Sequence, residues 1–234
     1  MSYNPWPLGD IPAALRRPEP ELIKKLGYKW TDAREIVGIF EQKVADMFGS
    51  KYGVAVDCCT HAIELCIRKH ELLDMKHLPW GYIIPRHTYI SLPMMLGIIP
   101  ACVDWKDEEW IGMYEIGRTN IIDAAWMWKS GSYVKGSLMC LSFQIKKPLP
   151  IGRGGMILTD DKEAYDWLRL ARYDGRDLNT PYDSKDHVKM FGWHYYMTPE
   201  DAARGLLLME EVPSQEPTCG WEHYPDISKI WERL

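Results

Sequence analysis

From residue 33 onwards, the apolar positions of this chain switch repeatedly between helical and strand spacing. Residues 33–48, AREIVGIFEQKVADMF, set Ile36, Ile39, Phe40, Val44 and Met47 on one helical face, and Gly49 closes it. Residues 52–56 read as a short apolar strand that runs through Asp57-Cys58-Cys59-Thr60 into a helix carrying Ala62, Ile63, Leu65, Cys66 and Leu72. A strand at 82–84 ends in Pro85-Arg86-His87, and a helix over 88–96 and strands over 99–103 and 119–122 follow, the last ending at Asp123. Residues 137–141 and 155–159 read as buried strands. A helix over 199–211 starts at Thr198 as N-cap, with Asp201 three residues on. Alternation of this kind predicts an α/β fold of three layers, a mostly parallel sheet with helices on both faces. Ligands collect at the carboxyl ends of such strands, where Asp57, His87, Asp123 and Ser142 all stand.

The stretch between the last two strands, SFQIKKPLPIGRGG, carries the most suggestive chemistry. It holds two adjacent lysines, two prolines and a Gly-x-Gly-Gly where the backbone must turn sharply or pass close to something. A lysine held rigid and partly desolvated on such a loop loses its proton more easily and can attack a carbonyl. The plainer alternative is a hairpin with Lys146 and Lys147 in water. Thr60 opens a helix directly after a strand, where free N–H groups and the helix dipole suit an anion; it can equally be a helix cap. Asp123 needs a partner to stay charged at the end of an apolar strand. A protonated ring nitrogen, a lysine or a backbone cap would each serve.

Composition narrows the class. With 234 residues and 46% hydrophobic content the chain can bury a large core. A net charge of −5 argues against a nucleic-acid surface, and no apolar run approaches a membrane span. The six cysteines form no CxxC, which is the usage of a reduced, cytoplasmic protein.

Five blocks, in order, then resemble one family: FEQKVADMFGSKYGVAVDCCTHAIEL, IIPRHTYIS, IIDAAW, LSFQIKKPLPIGRGGMILTDD and FGWHYYMTPEDAARGLLLME. They are similar to the DegT/DnrJ/StrS group, sugar aminotransferases of fold type I that use pyridoxal 5'-phosphate. The resemblance implies that Lys147, five residues after Ser142 and five before Gly152, is the lysine that bonds the cofactor. It implies phosphate contacts from Thr60, the backbone N–H of His61 and Ser142. Asp123 would pair with the pyridine nitrogen, Tyr89 would stack on the ring, and Trp126 would stand at the ring. His194 would reach the phosphate of a neighbouring subunit, which implies a homodimer with shared sites. An amino donor such as glutamate and a keto sugar, nucleotide-linked, are the implied substrates.

The chain also departs from the family. Cys59 replaces a glycine before the phosphate-loop threonine, Trp126 replaces a glutamine or histidine, and His194 and Tyr196 replace asparagine and arginine. Only eighteen residues separate Asp104 from Asp123, so one crossover of the sheet looks deleted. Two parts are expected: a cofactor-binding large domain with an N-terminal arm over 1–211, and a stub over 212–234 in place of the family's small domain. A lyase, dehydratase or decarboxylase, or a non-catalytic module, are the competing functional expectations.

Overall fold

The computed structural model describes residues 12–72, 81–99, 101–181 and 184–231. Most of the expected N-terminal arm lies outside them. Helix α1 spans Glu19–Lys25 and α2 spans Glu35–Phe48. Ile36, Phe40, Val44 and Phe48, spaced four apart, are all buried, and Gly49 ends α2 in the left-handed region at φ 85° with its N–H on Ala45 O. Strand β1 is Tyr52–Val56, α3 Cys59–Leu72, β2 Tyr82–Pro85, α4 Ser91–Ile98 and β3 Val103–Lys106. Then come β4 Tyr114–Glu115, β5 Ile121–Asp123, β6 Leu138–Ser142, β7 Gly155–Thr159, α5 Lys162–Ala171, α6 Pro199–Glu211 and α7 Ser228–Trp231. Thr198 caps α6 as expected, its side chain accepting from the Asp201 N–H at 3.2 Å.

The main sheet has the order β1-β7-β6-β5-β4. Gly117, just past β4, bonds antiparallel to Ile83 and so links β2 and β3 to the same surface. Strands β1, β2, β3, β5 and β6 therefore run one way and β4 and β7 the other. The sheet is mixed, because the two reversed strands sit between forward ones. Alternate side chains of each strand face opposite layers. Ala55, Met139, Leu141, Met156 and Leu158 pack with α1, α2 and α6. Val54, Val56, Leu138, Cys140 and Ile157 pack with α3, α4 and α5. A buried ion pair between Arg172 and Glu41 ties α5, α2 and β1, with Glu41 also accepting from the Ala55 N–H at 2.7 Å.

Two expected strands sit elsewhere. The strand read at 99–103 begins only at Val103, because Ile99 still belongs to the end of α4 with its N–H on Met95 O. The strand read at 119–122 begins at Ile121. Thr119 is consumed by a turn, its N–H and hydroxyl both donating to Ile116 O, with Arg118 left-handed at φ 70°. That turn joins β4 to β5 as a hairpin, an arrangement too short to show in the hydrophobic pattern. It fills the interval where a crossover looks deleted, with no helix between β3 and β5 among the described residues.

Residues 212–231, the described part of the stub expected over 212–234, lie back on the α/β layers. Bridges join Gln215 to Trp128, Gly220 to Ile111 and Asp226 to His87, and Cys219 and Ile227 are buried. Among the described residues no helix is long and apolar enough to cross a membrane.

Candidate active site

A cavity of about 520 Å³ opens at the ends of β1, β5 and β6. Six of the expected residues line it: Lys147, Asp123, Tyr89, Thr60, Ser142 and Trp126.

Lys147 rides on the loop between β6 and β7. The loop is held from both sides: Phe143 N–H donates to Gly154 O, Gly152 N–H to Phe143 O, and Lys147 N–H to Gln144 O at 2.8 Å. Phe143, Leu149 and Ile151 anchor it in the core. Both lysines line the cavity, but Lys146 is exposed and Lys147 is half-buried. The Lys147 ammonium lies 3.9 Å from the centre of the Trp126 ring. Burial pulls its pKa below the ordinary lysine value, against the attraction of Asp123. The hairpin exists, but only one of its lysines is in water.

Asp123 is 8% exposed at the end of β5. Its Oδ2 accepts from the Tyr114 hydroxyl at 2.6 Å and its Oδ1 from the Ala125 N–H at 3.0 Å. Burial nevertheless holds the carboxyl above its usual range, opposed by those bonds and by Lys147. Two hydrogen bonds and one partly desolvated lysine do not fully compensate this buried charge, so a further cation beside it would be welcome.

At the start of α3 the Thr60 and Ser91 hydroxyls are 2.7 Å apart, and both line the cavity with Cys58, Cys59 and Ser142. The N–H groups of this first turn follow directly on β1. The bend at Cys58–Cys59 passes so close to β7 that a Cβ on Gly155 would stand 2.6 Å from Cys59 N. The closest approach here is thus granted by Gly155, and Cys59 itself turns its thiol toward Cys140 O at 3.7 Å. Tyr89, 61% exposed, stands at the rim.

Two expected residues do not line the cavity. The His61 ring turns away from it, stacking on Tyr195 at 3.7 Å and bonding Asp57 at 2.6 Å. Burial alone would lower its pKa, but Asp57, itself bound by Arg153, and Cys58 lift it to about 9. His194 is exposed, its Nδ1 2.9 Å from Asp174. Of the strand-end residues, Asp57 and His87 also stay out; the His87 Nδ1 donates to the Tyr224 carbonyl at 2.8 Å.

Sequence reasoning missed Tyr114, Trp110, Cys219, His223 and Tyr224, which complete the wall. Tyr114 sits on the unexpected strand β4, and the last three belong to the segment taken for a stub. Only the aromatic content of that segment hinted at a buried role.

Pyridoxal phosphate suits this donor set: a desolvated lysine, an undercompensated carboxylate, and hydroxyls beside a helix N-terminus surround one space. Comparison with known proteins agrees. Residues 129–217 match the DegT/DnrJ/EryC1/StrS aminotransferase family. The chain is 36% identical over 97 residues to the GDP-perosamine synthase of Caulobacter vibrioides, a match over 40% of this chain and 24% of that protein. It therefore spans well under two thirds of this relative. Among solved structures it resembles AtS13 from Actinomadura melliaura, with a TM-score of 0.68 at 19% identity over 90% of this chain and 68% of that one. It also resembles a GDP-4-keto-6-deoxymannose-3-dehydratase, ColD, with a TM-score of 0.62 at 17% identity over 90% and 69%. Over residues 129–217, the Lys147 loop among them, the chain thus resembles the DegT/DnrJ/EryC1/StrS aminotransferase family, and it shares the α/β fold of these solved structures.

Proposed function

We propose that this chain binds pyridoxal 5'-phosphate in the 520 Å³ cavity and moves an amino group from a donor such as glutamate to a keto group of a nucleotide-linked sugar. The observation that carries the reading is the pairing of Lys147 and Asp123 in one cavity, the first with a lowered pKa and the second with a raised one. When bound, the cofactor supplies an electron sink for a carbanion. Lys147 would bond it covalently and carry protons at its Nζ, a task its lowered pKa favours. Asp123 would hold the proton on the ring nitrogen. Thr60, Ser142 and the N–H groups opening α3, His61 among them, would hold the phosphate. Tyr89 would cover the ring, with Trp126 beside it.

The test is to load the purified protein with pyridoxal phosphate, record its absorbance band, and add glutamate. Loss of the band with release of 2-oxoglutarate supports an aminotransferase. A stable band, with no 2-oxoglutarate formed, refutes it. Dehydration is the second reading, because a dehydratase is among the fold's neighbours. Loss of the sugar's oxygen without gain of nitrogen, read by mass, would establish that reading instead.

A homodimer with shared sites belongs to the same proposal. The phosphate contacts expected from Thr60, Ser142 and the His61 N–H leave a fourth to be supplied, while His194 is exposed outside the cavity. His194 of a second copy would supply that contact. Sedimentation should give a dimer, and His194→Ala should bind cofactor more weakly; a monomer that binds it tightly refutes the shared site. A cytoplasmic location goes with this reading.

A further inference from the structure

The segment after α6 forms one wall of the cavity, and it is pinned there along its length. Gln215 N–H donates to Trp128 O at 2.9 Å, Gly112 N–H to Cys219 O at 3.0 Å, Trp221 N–H to Trp110 O at 3.0 Å, and Ile227 N–H to Arg86 O at 2.9 Å. Asp226 adds ion pairs with Lys229 at 3.3 Å and Arg86 at 3.9 Å. The two surfaces touch at glycine. A Cβ on Gly220 would lie 2.2 Å from Trp110 O, and one on Gly112, at φ +76°, 2.6 Å from Pro217. This strap is therefore built against residues 110–112, in the interval where a crossover looks deleted.

Tyr224 is the strap's polar group at the cavity. Its ring lies against Trp110, 5.6 Å between centres, and its carbonyl accepts from His87. Its hydroxyl oxygen accepts from the Trp126 indole N–H at 2.6 Å. The hydroxyl proton has no acceptor among the described residues. Burial, with the nearby charge of Asp123, pushes the phenol up to about 12, so it stays an O–H donor at any physiological pH. Of the other hydroxyls of the cavity, Thr60 is paired with Ser91, Thr88 with Tyr114, and Tyr114 donates to Asp123, while Tyr89 stands at the exposed rim. Ser142 lies at the β6 end with the expected phosphate contacts.

We infer that Tyr224 donates a hydrogen bond to the keto oxygen of the amino acceptor, which makes the strap the acceptor-recognition element of the site. The inference rests on the aminotransferase reading and deepens it. The ring is fixed by Trp110, the oxygen is oriented by Trp126, and the remaining proton is presented beside the aromatic rings of Trp110, Tyr114 and Trp126. A donor so preorganised in a low-dielectric wall stabilises charge that develops on a carbonyl oxygen. No bond within Tyr224 is made or broken; it polarises the carbonyl and does not ionise.

The test uses the loaded full chain and Tyr224→Phe, which keeps the ring contact and the strap's backbone bonds. The two half-reactions are followed separately by absorbance: glutamate with the aldehyde form, then GDP-4-keto-6-deoxymannose as keto probe with the amine form. The donor half should stay within about twofold, and the acceptor kcat/KM should fall about 10- to 100-fold. That loss should be flat from about pH 6 to 9, because the phenol does not titrate there. An unchanged melting temperature excludes a folding defect. Equal losses in both halves, or an acceptor rate within about twofold of the parent, would overturn the inference. So would a parent that reacts with glutamate but not with the keto sugar. A parent inert to glutamate fails the functional reading itself, and the inference with it.

Discussion

Asp123→Asn should make the cofactor-free protein more stable while crippling it. In the folded chain this carboxyl is held above its ordinary value by burial. A raised carboxyl pKa means that the folded state disfavours the charge. Stability is lost as pH rises above the ordinary carboxyl value of 3.8, and the penalty is in full force at neutral pH. Asparagine keeps the shape and never ionises. Its oxygen can accept from Ala125, and its amide can donate to Tyr114, whose hydroxyl turns toward Thr88. Replacing two charge-assisted hydrogen bonds with neutral ones costs about 1 kcal/mol each. Against that stands relief of a desolvation penalty of about several kcal/mol. The balance favours asparagine by about 1–2 kcal/mol, or roughly 2–8 °C in a chain of this size. Melting followed by circular dichroism, with and without pyridoxal phosphate, checks both halves. The variant should melt higher than the parent without cofactor and gain less from adding it, because the ring nitrogen has lost its counter-charge. A variant that melts lower without cofactor refutes the electrostatic reasoning. An unchanged gain on adding cofactor refutes the pairing.

Two further outcomes follow from the start of α3. His61 has its pKa raised from 6.5 to about 9, so the stability it contributes is complete below pH 6.5 and fades as pH rises to about 9; His61→Gln should flatten that decline in a melting series over the same range. Gly155→Ala would place a methyl 2.6 Å from backbone atoms of Cys58 and Cys59, which cannot swing aside. It should cost about 1–3 kcal/mol in urea unfolding and weaken phosphate binding, and full stability with normal cofactor affinity would show that the bend is not confined as described.

Long apolar periods were legible and short ones were not. The bounds of β1 and β7 and the Thr198 cap each rest on local chemistry and stand where the pattern puts them. The face of α2 is turned slightly, with Ile36, Phe40 and Val44 buried beside Val37 and Phe48 and with Ile39 and Met47 at its edge. Strand β4 is two residues long and paired to β5 through a turn with Arg118 left-handed, and no periodicity exists over two residues. Its loss from the reading also hid Tyr114. The Lys147–Asp123 side of the cavity was legible because Asp123 ends β5 and Lys147 rides on the loop that follows β6, where topology delivers them to one place. The Tyr224 side was not. Those residues come from irregular backbone, held by bridges to Ile111, Trp128 and His87 across long separations in the chain. Resemblance to relatives also pointed away from them, because it treated the segment as a remnant. His61 was placed by its backbone; its imidazole belongs to a separate cluster with Asp57 and Arg153.

The central claim is that Lys147, and not Lys146, holds the cofactor. Borohydride reduction of the loaded protein, followed by peptide mass mapping, tests it most directly. The half-buried amine with its lowered pKa, beside Asp123 and Trp126, should carry the pyridoxyl mass, with Lys146 unmodified. A label on Lys146, or no stable label on either lysine, would contradict the account.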